Sequence, residues 1–340
     1  MVSWPTRRAM LASTALQASI IAAPKMGFSS ESNLTDVRDH GAVGDGVTDD
    51  TEAVLRAHST GSAVFYPRTG AFYRATRTVP LLSNASSNGA EIRVEQDGSW
   101  GKCIFQIVEN EKPISITGFV LNGEYAGGTR AEWSHGINLQ GAHNVTIENN
   151  TLKNVYGDCV YVGSSARSKS SRNIIIRNNK LLGPRRCNVA IVCGEDIIVR
   201  ENIISTTIGY VAAIDLEPDN NGFDHITNVT IIGNSFETPK TFISAGVNNS
   251  KPNKGLRVAY NRGRAMRFMF AAANALVVGA VVDDNTFSSI SVGGQMFVWS
   301  NVRDTSVKGN FDHTACTPGY VSAKFEDCIL HLQENRLCGM

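Results

Sequence analysis

The chain has 340 residues, 42% apolar and 19% charged, the balance of a globular protein with a large core rather than of a disordered or fibrous chain. With 32 Lys and Arg against 31 Asp and Glu, the net charge is +1, and nothing resembles the basic field by which proteins hold nucleic acid. Seven scattered cysteines, an odd number without a CxxC pair, argue against a disulfide framework and a zinc site; neither metal nor cofactor is expected.

Residues 1–30 read as an export signal with adjacent arginines: Arg7 and Arg8 precede a short run of small and apolar residues from Ala9 to Ala23. Beyond it no apolar run is long enough to span a bilayer, and an exported, periplasmic or extracellular protein is expected. Residues 31–75 read as a capping unit. Asp36–Ala57 passes from a short strand through a Gly-rich turn into a helix at 50–58, with Asp49 or Asp50 placed to cap it; Ala63–Pro67 reads as a strand. The turn lacks both GxxxxGK[ST] and GxGxxG, so covering the end of a repeat structure explains it better than phosphate binding.

From residue 76 to 340 a repeat dominates. Short β-branched runs end in Asn at Asn150, Asn179, Asn202 and Asn234, with weaker copies ending at Asn122, Asn261, Asn285, Asn310 and Asn335. Successive spacings from Asn122 are 28, 29, 23, 32, 27, 24, 25 and 25 residues. Each copy alternates Val or Ile with polar residues, then turns at Asn or Gly. Neither a Leu lattice nor a 3.6-residue period is visible, so the expected fold is all-β: a single-stranded parallel β-helix of roughly nine to eleven coils. The repeated Asn then stacks at one turn of successive coils, a structural role. Asp283 and Asp284 fall in the same turn register, and Phe268–Phe270 and Trp299 in packing positions.

The stretch Gly41-Ala-Val-Gly-Asp-Gly-Val-Thr-Asp-Asp-Thr51, followed by Ala53 and Ala57, resembles the N-terminal signature of the pectate-lyase-like superfamily, in the branch of rhamnogalacturonases, polygalacturonases and phage tailspikes. His40 stands where that signature commonly has an aromatic residue. Gly157-Asp158, Arg185-Arg186 and Ala213–Asn221 are also similar to segments of bacterial members. The resemblance spans residues 35–340 and implies a right-handed parallel β-helix acting on a polysaccharide, as monomer or trimer. The ordered catalytic set of polygalacturonases (Asn-Thr-Asp, Asp-Asp, Gly-His-Gly, Arg-Ile-Lys) and the acidic calcium cluster of pectate lyases are not found.

Catalytic candidates follow from strand alternation. With Ile137/Leu139, Val160/Val162, Val189/Ile191 and Ile214/Leu216 facing inward, the outward set is Asn138, Gln140, Tyr161, Asn188, Ala190, Asp215 and Glu217. Asp215 and Glu217 share one face with Cα atoms about 6.6 Å apart, a spacing that leans toward the acid and base of an inverting glycosidase. Asp158 is a third acid that raises a neighbour's pKa. Arg185, Arg186, His135, Tyr161 and Asn138 are candidate substrate contacts, Tyr161 by stacking on a sugar ring. Hydrolysis by paired carboxylates is the expected reaction. A lyase or uronate epimerase using Arg with His or Tyr is the alternative, and a non-catalytic glycan-binding protein a second.

Overall fold

A computed structural model describes residues 34–95, 101–128, 132–206, 212–219, 221–239, 241–245, 252–265, 267–270, 276–289, 297–313, 323–326 and 328–336. The expected export segment lies outside them. Each β-branched run forms a strand, and a coil contributes one to each of three sheets, the first-sheet strand being split in two in the coils that begin at Asn253, Val277 and Val302. One coil comprises His143–Glu148, Thr151–Lys153 and Val160–Gly163, after which Ser171–Arg177 begins the next. Each strand pairs in parallel with its counterpart one coil on: Val145 with Ile174, Leu152 with Leu181, Val160 with Val189. Repetition builds three sheets, here called first, second and third in chain order; the second and third each have ten strands. This is the expected parallel β-helix.

The core lies between the sheets. Ile147, Ile176, Val199 and Ile231 stack on the first sheet, Leu152, Leu181, Ile204 and Phe236 on the second, and Leu139, Val162, Ile191 and Leu216 on the third, all buried. Such aliphatic ladders remove apolar area from water continuously along the axis. Gly263 interrupts the second ladder between Phe236 and Phe287. The Phe236 ring stacks on Phe242 with centroids 3.7 Å apart, and a Cβ at residue 263 would collide with the Phe236 backbone and ring.

From the coil of Phe119 onward, each coil turns in two residues between the first and second sheets. The first is left-handed, as at Asn149 (φ 57°) and Asn178 (φ 54°), and the second is the repeated Asn. The Asn179 Oδ1 accepts from the backbone N–H (3.0 Å) and side-chain Nδ2 (3.2 Å) of Asn150, while its own Nδ2 donates to the Ile147 carbonyl at 2.9 Å. The same arrangement runs through Asn202, Asn234, Asn261, Asn285, Asn310 and Asn335. Asn122 does not belong to it. It ends a strand of the second sheet, and the first rung is the Phe119 N–H donating to Asn150 Oδ1, so an apolar residue occupies the turn in that coil. Asp284 is the left-handed residue before Asn285, in the expected turn register. Trp299 is buried, as its packing position anticipates.

The N-terminal end is covered by the helix Thr51–Ser59, which buries Ala53, Val54 and Ala57. Asp50 occupies the N-cap but its carboxylate does not cap the helix. It turns back to accept the N–H groups of Val43 (2.6 Å), Gly44 (3.1 Å) and Arg74 (3.3 Å), pinning the Gly-rich turn, while Asp49 accepts from the Thr51 N–H at 3.0 Å. Strands Ala63–Tyr66 and Tyr73–Ala75 already pair into the first and second sheets. Among the described residues no helix is long and apolar enough to cross a membrane.

Candidate functional site

The outer face of the third sheet gathers most of the expected site residues. Register places Asn138, Tyr161, Ala190, Asp215 and Ser244 in one row across five adjacent strands. His135, Asp158 and Arg186 enter from the corner residues that precede those strands. Gly157 allows that approach: a Cβ there would lie 2.5 Å from the Glu132 carbonyl oxygen and 2.7 Å from His135 Nδ1.

Asp158 and Asp215 are both 1% exposed. Asp158 Oδ1 accepts the Cys187 N–H at 2.9 Å, and His135 Nδ1 lies 3.1 Å from both Asp158 Oδ2 and the Asp158 amide nitrogen. The ring satisfies the carboxylate by donating from Nδ1–H, or the amide by accepting with a bare Nδ1. Asp215 is pushed well above the usual carboxylate range, first by burial and then by Glu217 close beside it and Asp158, with only the Ser244 hydroxyl opposing. Its Oδ1 has no hydrogen-bond partner among the described residues. Asp215 and Glu217 are near enough to hydrogen-bond through a shared proton.

Arg186 ties the acids together. Its Nη1 lies 3.1 Å from Glu132 Oε2, its Nη2 3.8 Å from Glu217 Oε2 and its Nε 3.7 Å from Asp158 Oδ1. Burial alone would weaken this cation, but Asp158, Cys187, Glu132 and Glu217 hold its pKa above the usual guanidinium value. Arg185 stands apart: its Nε donates to the Tyr156 carbonyl at 2.7 Å, and the residue is 5% exposed. Asn188, expected to face outward, is fully buried and donates to the Leu181 carbonyl at 2.7 Å, because the chain turns a corner there and the period of two restarts at Val189.

Tyr161 stacks on His135 with ring centroids 4.6 Å apart, and Trp133 packs edge-on against both at 6.2 and 6.1 Å. Burial, and then Asp219 and Asp224, push the Tyr161 phenol up, so it stays a hydroxyl. Trp133 is 41% exposed and presents an aromatic surface beside the acids. Alternation could not find Glu132 or Trp133, which precede a strand. The signal present was their place two and three residues before His135, in the same corner.

The fold and this face define the class: a right-handed parallel β-helix, as the N-terminal signature implies. No protein-family profile matches the chain. A Bacillus subtilis protein of uncharacterised function, YclG, is 27% identical over 243 residues, covering 60% of this chain. The chain spans about two fifths (41%) of that relative's length. Among solved structures, an exopolygalacturonase from Thermotoga maritima superposes with a TM-score of 0.60 at 12% identity, covering 91% of this chain and 92% of that one. PfbA, a surface adhesin of Streptococcus pneumoniae, gives 0.58 at 16%, covering 89% and 98%. The tailspike gp49 of Acinetobacter baumannii bacteriophage Fri1, a capsular polysaccharide depolymerase, gives 0.57 at 14%, covering 90% and 64%.

Proposed function

We propose that the protein is a carbohydrate-active enzyme that hydrolyses glycosidic bonds of a polysaccharide outside the cytoplasm, with the outer face of the third sheet as its active site. The observation that carries this reading is Asp215. It is a buried carboxylic acid that keeps its proton above the usual carboxylate pH, placed in the outward row of the third sheet close to Asp158.

Asp215 donates its proton to the leaving glycosidic oxygen as the bond to the anomeric carbon breaks. Asp158, oriented by the Cys187 N–H and next to His135, takes the proton of the water that attacks that carbon. Glu217 shares the Asp215 proton and Arg186 holds Glu217, Asp158 and Glu132 in register. Tyr161 and Trp133 provide the aromatic surface on which a sugar ring stacks. The proposed acid is thus Asp215, with Glu217 as its proton-sharing partner rather than the opposing base. The ion pair of Arg186 with Glu132 at 3.1 Å, and the turn of Arg185 toward Tyr156, weigh against the lyase alternative, in which a cation neutralises a uronate.

The test is a panel of polysaccharides incubated with purified protein and read for new reducing ends and for the ultraviolet absorbance of an unsaturated uronate. New reducing ends without that absorbance are expected, with Asp215→Asn lowering the rate by about 100-fold or more. Full activity in Asp215→Asn, or an absorbing product, would refute the assignment, the latter moving it to a lyase using Arg186, His135 and Tyr161.

A further inference from the structure

We infer that the glycan accepted on this face is uncharged, a neutral hexose or pentose polymer rather than a polyuronate. The inference rests on the reading of the third-sheet face as a glycan site and names its substrate class. It follows from how charge is already committed there.

Glu132, Asp158 and Glu217 surround one guanidinium, Arg186, at 3.1, 3.7 and 3.8 Å, and Asp215 adds a fourth carboxyl group to the face. Even with Asp215 protonated, three carboxyl groups remain around one guanidinium. Arg185 is turned to the Tyr156 carbonyl and closed off from solvent. A sugar carboxylate entering here would meet the carboxyl groups of Glu132, Asp158 and Glu217.

The uncharged groups on the face point the same way. The row that carries Asp215 continues through Ala190, Tyr161, Asn138 and Gln106 on one side and Ser244 on the other. Asn138 is 6% exposed, and its Oδ1 has no hydrogen-bond partner among the described residues. Trp133 adds a stacking surface that attracts a neutral pyranose through its C–H face.

The experiment uses affinity electrophoresis and reducing-end assays on the full chain. Gels contain β-glucan, galactan, mannan, xylan, polygalacturonate, alginate, or polygalacturonate whose carboxyl groups have been reduced to the neutral polymer of the same linkage. The inference expects retardation by at least one neutral polymer that exceeds any retardation by either polyuronate at least tenfold in apparent affinity. Polyuronate retardation or cleavage equal to or greater than that on the neutral polymers overturns it, as does absence of retardation on every gel. Retardation by a neutral polymer with no new reducing ends upholds the neutral class and refutes hydrolysis. Cleavage confined to polyuronate does the reverse. Glu132→Gln, at a half-exposed position, frees Arg186 Nη1 and is expected to raise polyuronate retardation relative to wild type; an unchanged ratio would count against the charge argument.

Discussion

Asp215 sits at odds with the fold that holds it. Its pKa is raised in the folded chain, so between the unfolded value near 4 and the folded one the native state binds more protons than the unfolded state, and stability falls as pH rises through that window. Above the window the full cost persists. Asp215→Asn removes the ionisable group while keeping the shape. It is therefore expected to raise stability at pH 7 by about 1 kcal/mol or more, since a tenfold change in proton affinity on folding is worth about 1.4 kcal/mol, and by less at pH 4. Urea unfolding of both proteins at the two pH values checks this; an equal difference at both would refute it. A substitution that stabilises and inactivates together marks a residue retained for chemistry.

At the scale of the strand and the turn, the Asn ladder makes a graded expectation. Removing the Asn202 amide leaves the Asn179 N–H and Nδ2 and the Ile176 carbonyl without their bonds, all in a dry interior. Asn202→Ala should cost about 2–4 kcal/mol, whereas Asn335→Ala, at a half-exposed rung, should cost about 1 kcal/mol or less. Denaturant melts of the pair decide it. The capping helix carries a second expectation. His58 bonds Tyr66 Oη through Nε2 at 2.7 Å, and burial lowers its pKa to about 4. As pH falls from 6.5 toward 4 the unfolded chain takes up a proton that the folded one refuses, so up to about 3 kcal/mol of stability is lost. His58→Gln should shed much of that acid sensitivity, read as a smaller fall in the urea midpoint between pH 7 and pH 4.5.

The same scale explains what the sequence disclosed. Period-two alternation and the recurring Asn predicted the stacked parallel coils, the inward ladders and the outward row of Asn138, Tyr161 and Asp215, because strands and tight turns are set by neighbours in sequence. It failed where the chain bends. Asn188 sits at a corner, where the inward direction is held for two consecutive residues, and Asn122 ends a strand one coil before the ladder begins. Arg185 and Arg186 are adjacent, yet only Arg186 reaches the acids; the difference lies in contacts with Tyr156 and Glu132, from other coils' corners, which no local pattern encodes.

Among the described residues from 34 onward each coil touches mainly the next, so the stability of this stack is close to a sum of neighbour terms and its faces repeat from coil to coil. With a net charge of +1 it has no general field to draw a polyanion. Retention on a neutral glycan should accordingly change by less than about twofold between 50 and 500 mM salt, since no screened attraction contributes to it. A steep fall with salt in the same gels would mean that exposed charges do the binding.

The two-residue Asn turn has a consequence for how such a protein changes over time. From Phe119 to Asn335 that corner keeps its length, while whole coils between ladder residues vary from 23 to 32 residues, so every insertion falls at the other two corners. One edge of the solenoid acts as a ruler and the others as attachment points. The segment between Asn122 and Ile137, which brings Glu132, Trp133 and His135 to the acids, is one such attachment. It can be lengthened, shortened or exchanged without shifting the register of any ladder. Specificity can thus drift, or be grafted, on a scaffold whose spacing is kept elsewhere.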